Sequence, residues 1–99
     1  MLVHSVYFWL RDDIDEVRRH AFKKGLESLR AIPAVHEMHV GVPADSPSRP
    51  VLVTDYDFAL TVIMDDMAAH DAYQEHPLHL EFLREFSGCW TRVQIYDAE

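Results

Sequence analysis

The sequence opens with the stretch Leu2-Val3-His4-Ser5-Val6-Tyr7-Phe8-Trp9-Leu10, which is rich in β-branched and aromatic residues. This composition predicts a β-strand. Side chains alternate along a strand, so one face carries Leu2, His4, Val6, Phe8 and Leu10, and the other carries Val3, Ser5, Tyr7 and Trp9. Because both faces are largely apolar, we expect neighbouring structure to cover both of them.

Helix and strand patterns follow one another along the rest of the chain. Asp12 and Asp13 are candidate N-caps of an amphipathic helix that runs to about Ala31 and ends before Pro33. The remaining predicted elements are a strand over 35–42, a loop over 43–50, a strand over 56–64, a helix capped by Asp65-Asp66 and ending near Glu75, a helix from Pro77 to about Gly88, and a strand over 90–96. The order β-α-β-β-α-β predicts an α+β, ferredoxin-like fold, with a four-stranded antiparallel sheet and helices on one face.

The predicted sheet leaves one apolar face without helices. A second copy of the same sheet would cover it across a two-fold axis and close a dimeric α+β barrel. The composition agrees, because 48% of the 99 residues are hydrophobic and 11% are aromatic. A domain of this size buries only about two-thirds of its unfolded surface. We therefore predict a single domain over residues 1–99 that forms a homodimer.

The net charge, the single cysteine and the absence of long apolar runs exclude several classes of partner and location. Seventeen acidic residues against nine Lys and Arg give a net charge of −8, which disfavours binding to nucleic acid or to anionic membranes. The one cysteine, Cys89, cannot form an intrachain disulfide and is expected to be buried and inert. No run approaches the roughly 20 apolar residues that span a bilayer, and no signal-peptide pattern is evident. We expect a cytoplasmic protein.

The segment Tyr73-Gln74-Glu75-His76-Pro77-Leu78-His79 is the strongest lead to a function. Pro77 interrupts the helical run, so His76 and His79 need not share a face. His76 is expected to cap the end of the preceding helix by bonding its free carbonyls, although a place in a site is the alternative. His79 is followed by apolar residues, where a neutral imidazole acts as a general base if a carboxylate orients it.

His4 is the next candidate, and two interpretations of it remain open. A lone histidine on an apolar strand face is more often a satisfied core residue than a catalyst. In the predicted topology, however, His4 and Asp97 could both reach a pocket on the helix side of the sheet. No metal or cofactor is predicted, because His36 and His39 point to opposite faces of a strand and neither H-E-x-x-H, C-x-x-C nor a glycine-rich phosphate loop is present.

Several of these features together resemble one known family. They are Val3-His4 at the start of the first strand, the strand Tyr56-Asp57-Phe58-Ala59-Leu60, the segment Tyr73-x-x-His76-Pro77-x-His79-x-x-Phe82, and the closing Tyr96-Asp97. Across nearly its whole length the chain resembles the stress-responsive A/B barrel (Dabb) domain family. The resemblance implies a dimeric α+β barrel. It also points to a plant polyketide cyclase of the family, which closes a linear polyketide by aldol condensation without cofactor or metal.

The resemblance to that cyclase implies roles for individual residues. His79 would be the base, Tyr73 its catalytic partner, Asp97 the group that orients His79, and His4 a further pocket residue. The predicted walls of the pocket are Val6, Phe8, Phe22, Leu26, Phe82 and Trp90. Leu26 stands where the cyclase has a pocket tyrosine, so the substrate of that cyclase is not expected here.

Three functions remain open at this point. In the first, His79 removes a proton α to a carbonyl of a small hydrophobic or aromatic molecule and Tyr73 bonds the developing enolate, in a cyclase, lyase or isomerase. In the second, the protein is a non-catalytic stress or ligand-binding protein whose polar groups satisfy one another. In the third, it is a cofactor-independent mono-oxygenase. Whether the chain is an enzyme is therefore not fixed by its sequence.

Overall fold

A computed structural model describes the whole chain, Met1–Glu99. Its elements in order are β1 (Leu2–Leu10), α1 (Glu16–Ser28), β2 (Glu37–Gly41), β3 (Phe58–Met64), α2 (Met67–Glu75), α3 (Pro77–Phe86) and β4 (Trp90–Ala98). Short 3₁₀ turns over Leu29–Ala31 and Ser87–Cys89 follow α1 and α3. None of the helices combines the length and apolar character needed to cross a membrane.

The four strands form one sheet in the order β2-β3-β1-β4, and every neighbouring pair is antiparallel. The helices cover one face of this sheet. The predicted α+β, ferredoxin-like fold is therefore confirmed. The order puts β1 in the interior, paired on one side with β3 and on the other with β4, and leaves β4 at an edge.

The hydrophobic core lies between the sheet and the helices. Alternate residues of β1, from Leu2 to Leu10, are buried there. From α1, Phe22 enters the core, and its ring centroid lies 5.3 Å from that of Phe8 on the sheet and 5.7 Å from that of Phe82 on α3. Leu26, one turn further along α1, is also completely buried. Aromatic packing therefore joins α1 and α3 to the centre of the sheet.

The start of α1 differs from the sequence prediction. Asp15, not Asp12 or Asp13, is the N-cap, and its carboxylate accepts a hydrogen bond from the Arg18 backbone N–H at 2.8 Å. A cap side chain reaches the amides of the first turn only from the residue next to the helix. Asp13 lies too early in the chain for that role and binds the Arg11 guanidinium at 2.6 Å instead.

The other face of the sheet is only partly covered. Tyr7 and Trp9 are half-buried there, because the segment before β3 folds against them. The Trp9 indole N–H donates to the Asp55 carboxylate at 3.1 Å, and the Tyr56 ring lies 5.1 Å from that of Tyr7. Tyr96 of β4 remains 60% exposed. An aromatic groove of about 580 Å³ results on this face, which we call the open face of the sheet.

Gly25 gives a direct test of the packing of α1 on α3. A Cβ at this position would lie 2.5 Å from Cε2 of the buried Phe86 ring. Overpacking of this kind costs about 1–3 kcal/mol, which outweighs the gain of about 1 kcal/mol in helix propensity. We expect Gly25→Ala to lower the free energy of unfolding, measured by urea titration. Gly88→Ala is the control, because a Cβ there meets nothing within 4 Å. Equal stability of the two variants would contradict the packing described.

Candidate functional site

A histidine–aspartate pair joins β1 to β4. The antiparallel register places His4 directly opposite Asp97, and both side chains point to the helix side of the sheet. His4 Nδ1 lies 2.5 Å from Asp97 Oδ1. An ionised carboxylate only accepts hydrogen bonds, so Nδ1 carries the proton and donates it to Asp97. The ring of His4 is therefore held in one orientation, and Nε2 is its remaining acceptor when the ring is neutral.

Helix α2 adds a second histidine to this pair. His70 Nε2 lies 3.7 Å from Asp97 Oδ2, and the His70 ring centroid is 5.1 Å from that of His4. On its other side, His70 Nδ1 is 3.2 Å from the exposed carboxylate of Asp71. His70 was not among the predicted site residues, although it lies one helical turn before Tyr73 and so shares its face.

Tyr73 lies on the inner side of α2 and is completely buried. Its ring centroid is 4.9 Å from that of His79 and 5.9 Å from that of His4. Burial raises the pKa of the Tyr73 hydroxyl far above its ordinary value of 10.0. The hydroxyl therefore stays protonated at physiological pH and can serve as a hydrogen-bond donor.

His79 is the third residue of α3 and is buried beside Tyr73. Burial lowers the pKa of His79 below its ordinary value of 6.5, the nearby His4 lowers this pKa further, and a hydrogen bond to the Gln74 backbone acts in the opposite direction. His79 is therefore neutral near pH 7. Its Nδ1 is buried without a hydrogen-bond partner. Leaving a buried polar atom unpaired costs about 1–3 kcal/mol, so such an atom calls for an explanation.

The predicted pairing of Asp97 with His79 is wrong. The Asp97 carboxylate is occupied by His4 and approached by His70, whereas His79 Nδ1 has no hydrogen-bond partner. The reason is the strand register, because the residue of β1 that faces Asp97 is His4. Asp97 therefore orients the strand histidine and not the helix histidine.

The predicted capping role of His76 also needs correction. Its imidazole does not bond the carbonyls at the end of α2. Instead, His76 Nδ1 accepts a hydrogen bond from the Leu78 backbone N–H at 3.1 Å and caps the start of α3. Pro77 has no backbone N–H, so Leu78 carries the first free amide of this helix. This corner places His79 back against Tyr73.

A cavity of about 140 Å³ lies between the sheet and the pair α2–α3. The residues that line it are His4, Val6, Phe8, Leu29, Leu60, Tyr73, Gln74, His79, Phe82, Leu83, Trp90, Val93 and Ile95. Four of the six predicted wall residues are in this set, but Phe22 and Leu26 are not. They are completely buried in the core behind it, because α1 packs on the centre of the sheet. The cavity is mostly apolar and is also lined by four residues with polar side-chain groups, His4, Tyr73, Gln74 and His79, a composition typical of sites for small molecules.

The comparisons with known proteins agree with this fold. The family model of the Stress Responsive A/B Barrel Domain matches residues 2–99. No curated protein matches the sequence. A Dabb family protein with a ferredoxin-like fold from Mesorhizobium loti is similar over 99% of this chain and 94% of its own, with 24% identity and a TM-score of 0.80.

Two further solved structures share the fold. A dimeric ferredoxin-like protein of unknown function from Thermobifida fusca is 21% identical, covers 98% of this chain and 88% of its own, and has a TM-score of 0.80. A hydroxynitrile lyase from Passiflora edulis is 16% identical over 98% of this chain and 90% of its own, with a TM-score of 0.83. At these identities the likeness establishes the architecture and not the chemistry.

The lowered pKa of His79 makes stability depend on pH. In the unfolded chain His79 regains its ordinary pKa. Below about pH 6.5 the unfolded state therefore binds a proton at His79, whereas the folded state, in which this pKa is lower, does not. The free energy of unfolding therefore falls as the pH drops through 6.5 towards the lower pKa of the folded state. We expect His79→Gln to lose less stability than the wild type between pH 7.5 and 5.5, measured by urea unfolding at one protein concentration. Parallel profiles for the two proteins would show that His79 is not the buried neutral group described.

Proposed function

The chain belongs to the stress-responsive A/B barrel domain family, and we propose that it binds a small carbonyl or aromatic molecule in the cavity between the sheet and α2–α3 and moves a proton on it without a cofactor. The observation that carries this proposal is the buried Nδ1 of His79. Its ring lines the cavity, and no group of the protein bonds this nitrogen. A bound molecule that offers a proton there would satisfy it.

The proton-transfer step follows from the state of His79. As a neutral imidazole, His79 can accept a proton from a C–H group α to a carbonyl, or from a hydroxyl, at its free nitrogen. The resulting imidazolium is disfavoured by burial and by the neighbouring His4. His79 therefore gives the proton back readily, which suits a base that acts within one turnover. A positioned base of this kind contributes about 10²- to 10⁴-fold to a rate.

Tyr73 would stabilise the charge that develops on the ligand, and His4 would help to hold the ligand in place. The Tyr73 hydroxyl remains protonated and would donate a hydrogen bond to the ligand oxygen as it becomes an enolate or alkoxide. His4 is held by Asp97 and also lines the cavity, so its Nε2 would accept a hydrogen bond from a hydroxyl of the ligand. Asp97 acts through His4 and is a positioning residue.

The small volume of the cavity limits the ligand to about the size of a single ring with a short substituent. Proton removal from the carbon α to a ketone, which opens the way to isomerisation or ring closure, fits this space. A second candidate of the same chemistry is the cleavage of a 2-hydroxynitrile, in which the base takes the hydroxyl proton and an aldehyde and hydrogen cyanide are released. The small cavity favours this candidate over reactions of extended chains, and the Passiflora edulis lyase shares the fold.

We also propose that the chain is one domain over residues 1–99 and acts as a homodimer in the cytoplasm. The support for the dimer is the aromatic groove on the open face of the sheet and the dimeric state of the similar Thermobifida fusca protein. Val93 and Ile95 of the edge strand β4 are also exposed where they line the cavity. A partner subunit near this edge would shield the cavity from water.

Proton exchange tests the proposed activity. Acetophenone in D₂O is the probe, and deuterium incorporation at its methyl group is followed by NMR with and without protein. We expect His79→Ala to lower the protein-dependent exchange rate by about 10²-fold or more, and Tyr73→Phe to lower it by a smaller factor. His36→Ala is the matched control, because His36 is exposed and does not line the cavity. Mandelonitrile cleavage is measured with the same four proteins.

The outcomes separate the alternatives. Exchange or cleavage that is lost in His79→Ala and kept in His36→Ala supports the proposal. Wild-type rates equal to those of His79→Ala for both probes would contradict catalysis at this site. If acetophenone raises the melting temperature of the wild type but not of His79→Ala and no exchange occurs, the protein is the non-catalytic ligand-binding alternative.

A substitution that introduces one charge on the open face of the sheet tests the homodimer. Tyr96→Glu places a carboxylate in the aromatic groove and should dissociate the dimer, because an unpaired charge is costly in an apolar interface. Light scattering should give twice the chain mass of 11.5 kDa for the wild type and a single mass for the variant. Leu80→Glu, at an exposed apolar position of α3, is the control and should remain dimeric. A wild type of single mass would contradict the dimer.

A further inference from the structure

We propose that His4, His70 and Asp97 form a binding site for a divalent transition-metal ion, with Zn²⁺ as the representative ion. The three residues come from β1, α2 and β4, and one donor atom of each lies within 4.8 Å of those of the other two. No metal site was predicted from the sequence, because His36 and His39 point to opposite faces of a strand and no spaced ligand motif is present. The donors of this cluster are far apart along the chain. Folding brings them together.

The distances suit a small ion after a modest rearrangement. Zinc binds nitrogen and oxygen donors at about 2.0–2.2 Å, which places tetrahedral neighbours about 3.3 Å apart. In the structure, His4 Nδ1 and Asp97 Oδ1 are 2.5 Å apart, and His70 Nε2 and Asp97 Oδ2 are 3.7 Å apart. The first pair must open and the second must close slightly. Asp97 lies near the end of an edge strand, where a shift of under 1 Å meets little resistance.

The contacts around His70 prepare it as a ligand. Its Nδ1 faces the Asp71 carboxylate at 3.2 Å, which keeps the proton on Nδ1 and the lone pair on Nε2. A carboxylate behind a histidine is the usual outer contact of a metal-binding imidazole. His4 Nδ1 shares its proton with Asp97, and an ion that enters between them would displace this proton to solvent.

The three donor side chains differ in their exposure to solvent. The His4 and His70 side chains are 3% and 14% exposed, whereas the Asp97 side chain is 32% exposed. An ion can therefore enter past Asp97 and keep one or more coordination positions open to water. Two imidazoles and one carboxylate favour Zn²⁺ and other late first-row ions over Mg²⁺ or Ca²⁺, which prefer oxygen ligands.

The metal site lies beside the proposed catalytic cavity. His4 belongs to both, but His70 and Asp97 do not line the cavity, and His79 and Tyr73 are not among the metal donors. The metal proposal therefore goes beyond the proposed function and does not depend on it. His79→Ala should abolish the exchange activity and leave metal binding intact, so failure of either proposal can be recognised separately.

Titration of the metal-free full-length protein with ZnCl₂, followed by calorimetry, tests this inference. We expect one strong site per chain in the wild type, with affinity reduced at least about tenfold in His70→Ala and in Asp97→Asn. His36→Ala is the matched control. His36 Nε2 lies 2.5 Å from Asp65 Oδ1, so this exposed pair repeats the separation of His4 and Asp97 without a third donor. It should retain the wild-type affinity.

A measurement on the wild type alone guards against variants that fail to fold. Co²⁺ added to ¹⁵N-labelled protein should broaden the NMR signals around His4, His70 and Asp97 before those of any other histidine. Equal zinc affinity of the wild type and His70→Ala would overturn the proposal. Broadening centred on His36, His39 or His76 would overturn it as well, because the ion would then bind a surface histidine.

Discussion

The hydrogen bond between His4 and Asp97 is the interaction on which the rest of the site depends. It exists because β1 and β4 pair in a register that sets these two residues opposite each other on the helix side of the sheet. A slip of one residue would turn one of them to the other face. The bond fixes the ring of His4 and brings the carboxylate near His70. It also leaves His79 without an acidic partner, so that burial is the largest influence on its pKa and the ring stays neutral near pH 7.

Two chemically different environments result on the two sides of His4. Towards the protein edge, the carboxylates of Asp97 and Asp71 alternate with the imidazoles of His4 and His70, and solvent is near. Towards the interior, His4 meets Tyr73 and His79, whose pKa values are shifted by burial so that both stay neutral near pH 7. Proton transfer is proposed in the buried cavity, and metal binding is proposed at the solvent-exposed side of His4. The two environments are separate because β4, which carries Asp97, is an edge strand.

The fold could be predicted from the sequence because its signals are local. Alternation in β1, the Asp66 cap of α2 and Pro77 at the start of α3 each depend on neighbouring residues, and all of them hold in the structure. The site could be predicted only in part. The segment Tyr73–His79 could be recognised because its residues are close together in sequence. The partner of Asp97, however, depends on the register of β1 and β4, and the place of His70 in the site depends on how α2 packs against the sheet. Phe22 and Leu26 were predicted to line the cavity but are core residues. An apolar sequence pattern does not distinguish a core residue from a residue of a cavity wall.

The most direct test of this account is the protonation pattern of His4, read from long-range ¹H–¹⁵N NMR spectra at pH 7. We expect Nδ1 to be protonated, with a strongly hydrogen-bonded, downfield proton that disappears in Asp97→Asn, while the signals of His79 remain those of a neutral ring. A His4 ring protonated on Nε2 alone, or a spectrum of His4 unchanged in Asp97→Asn, would contradict it.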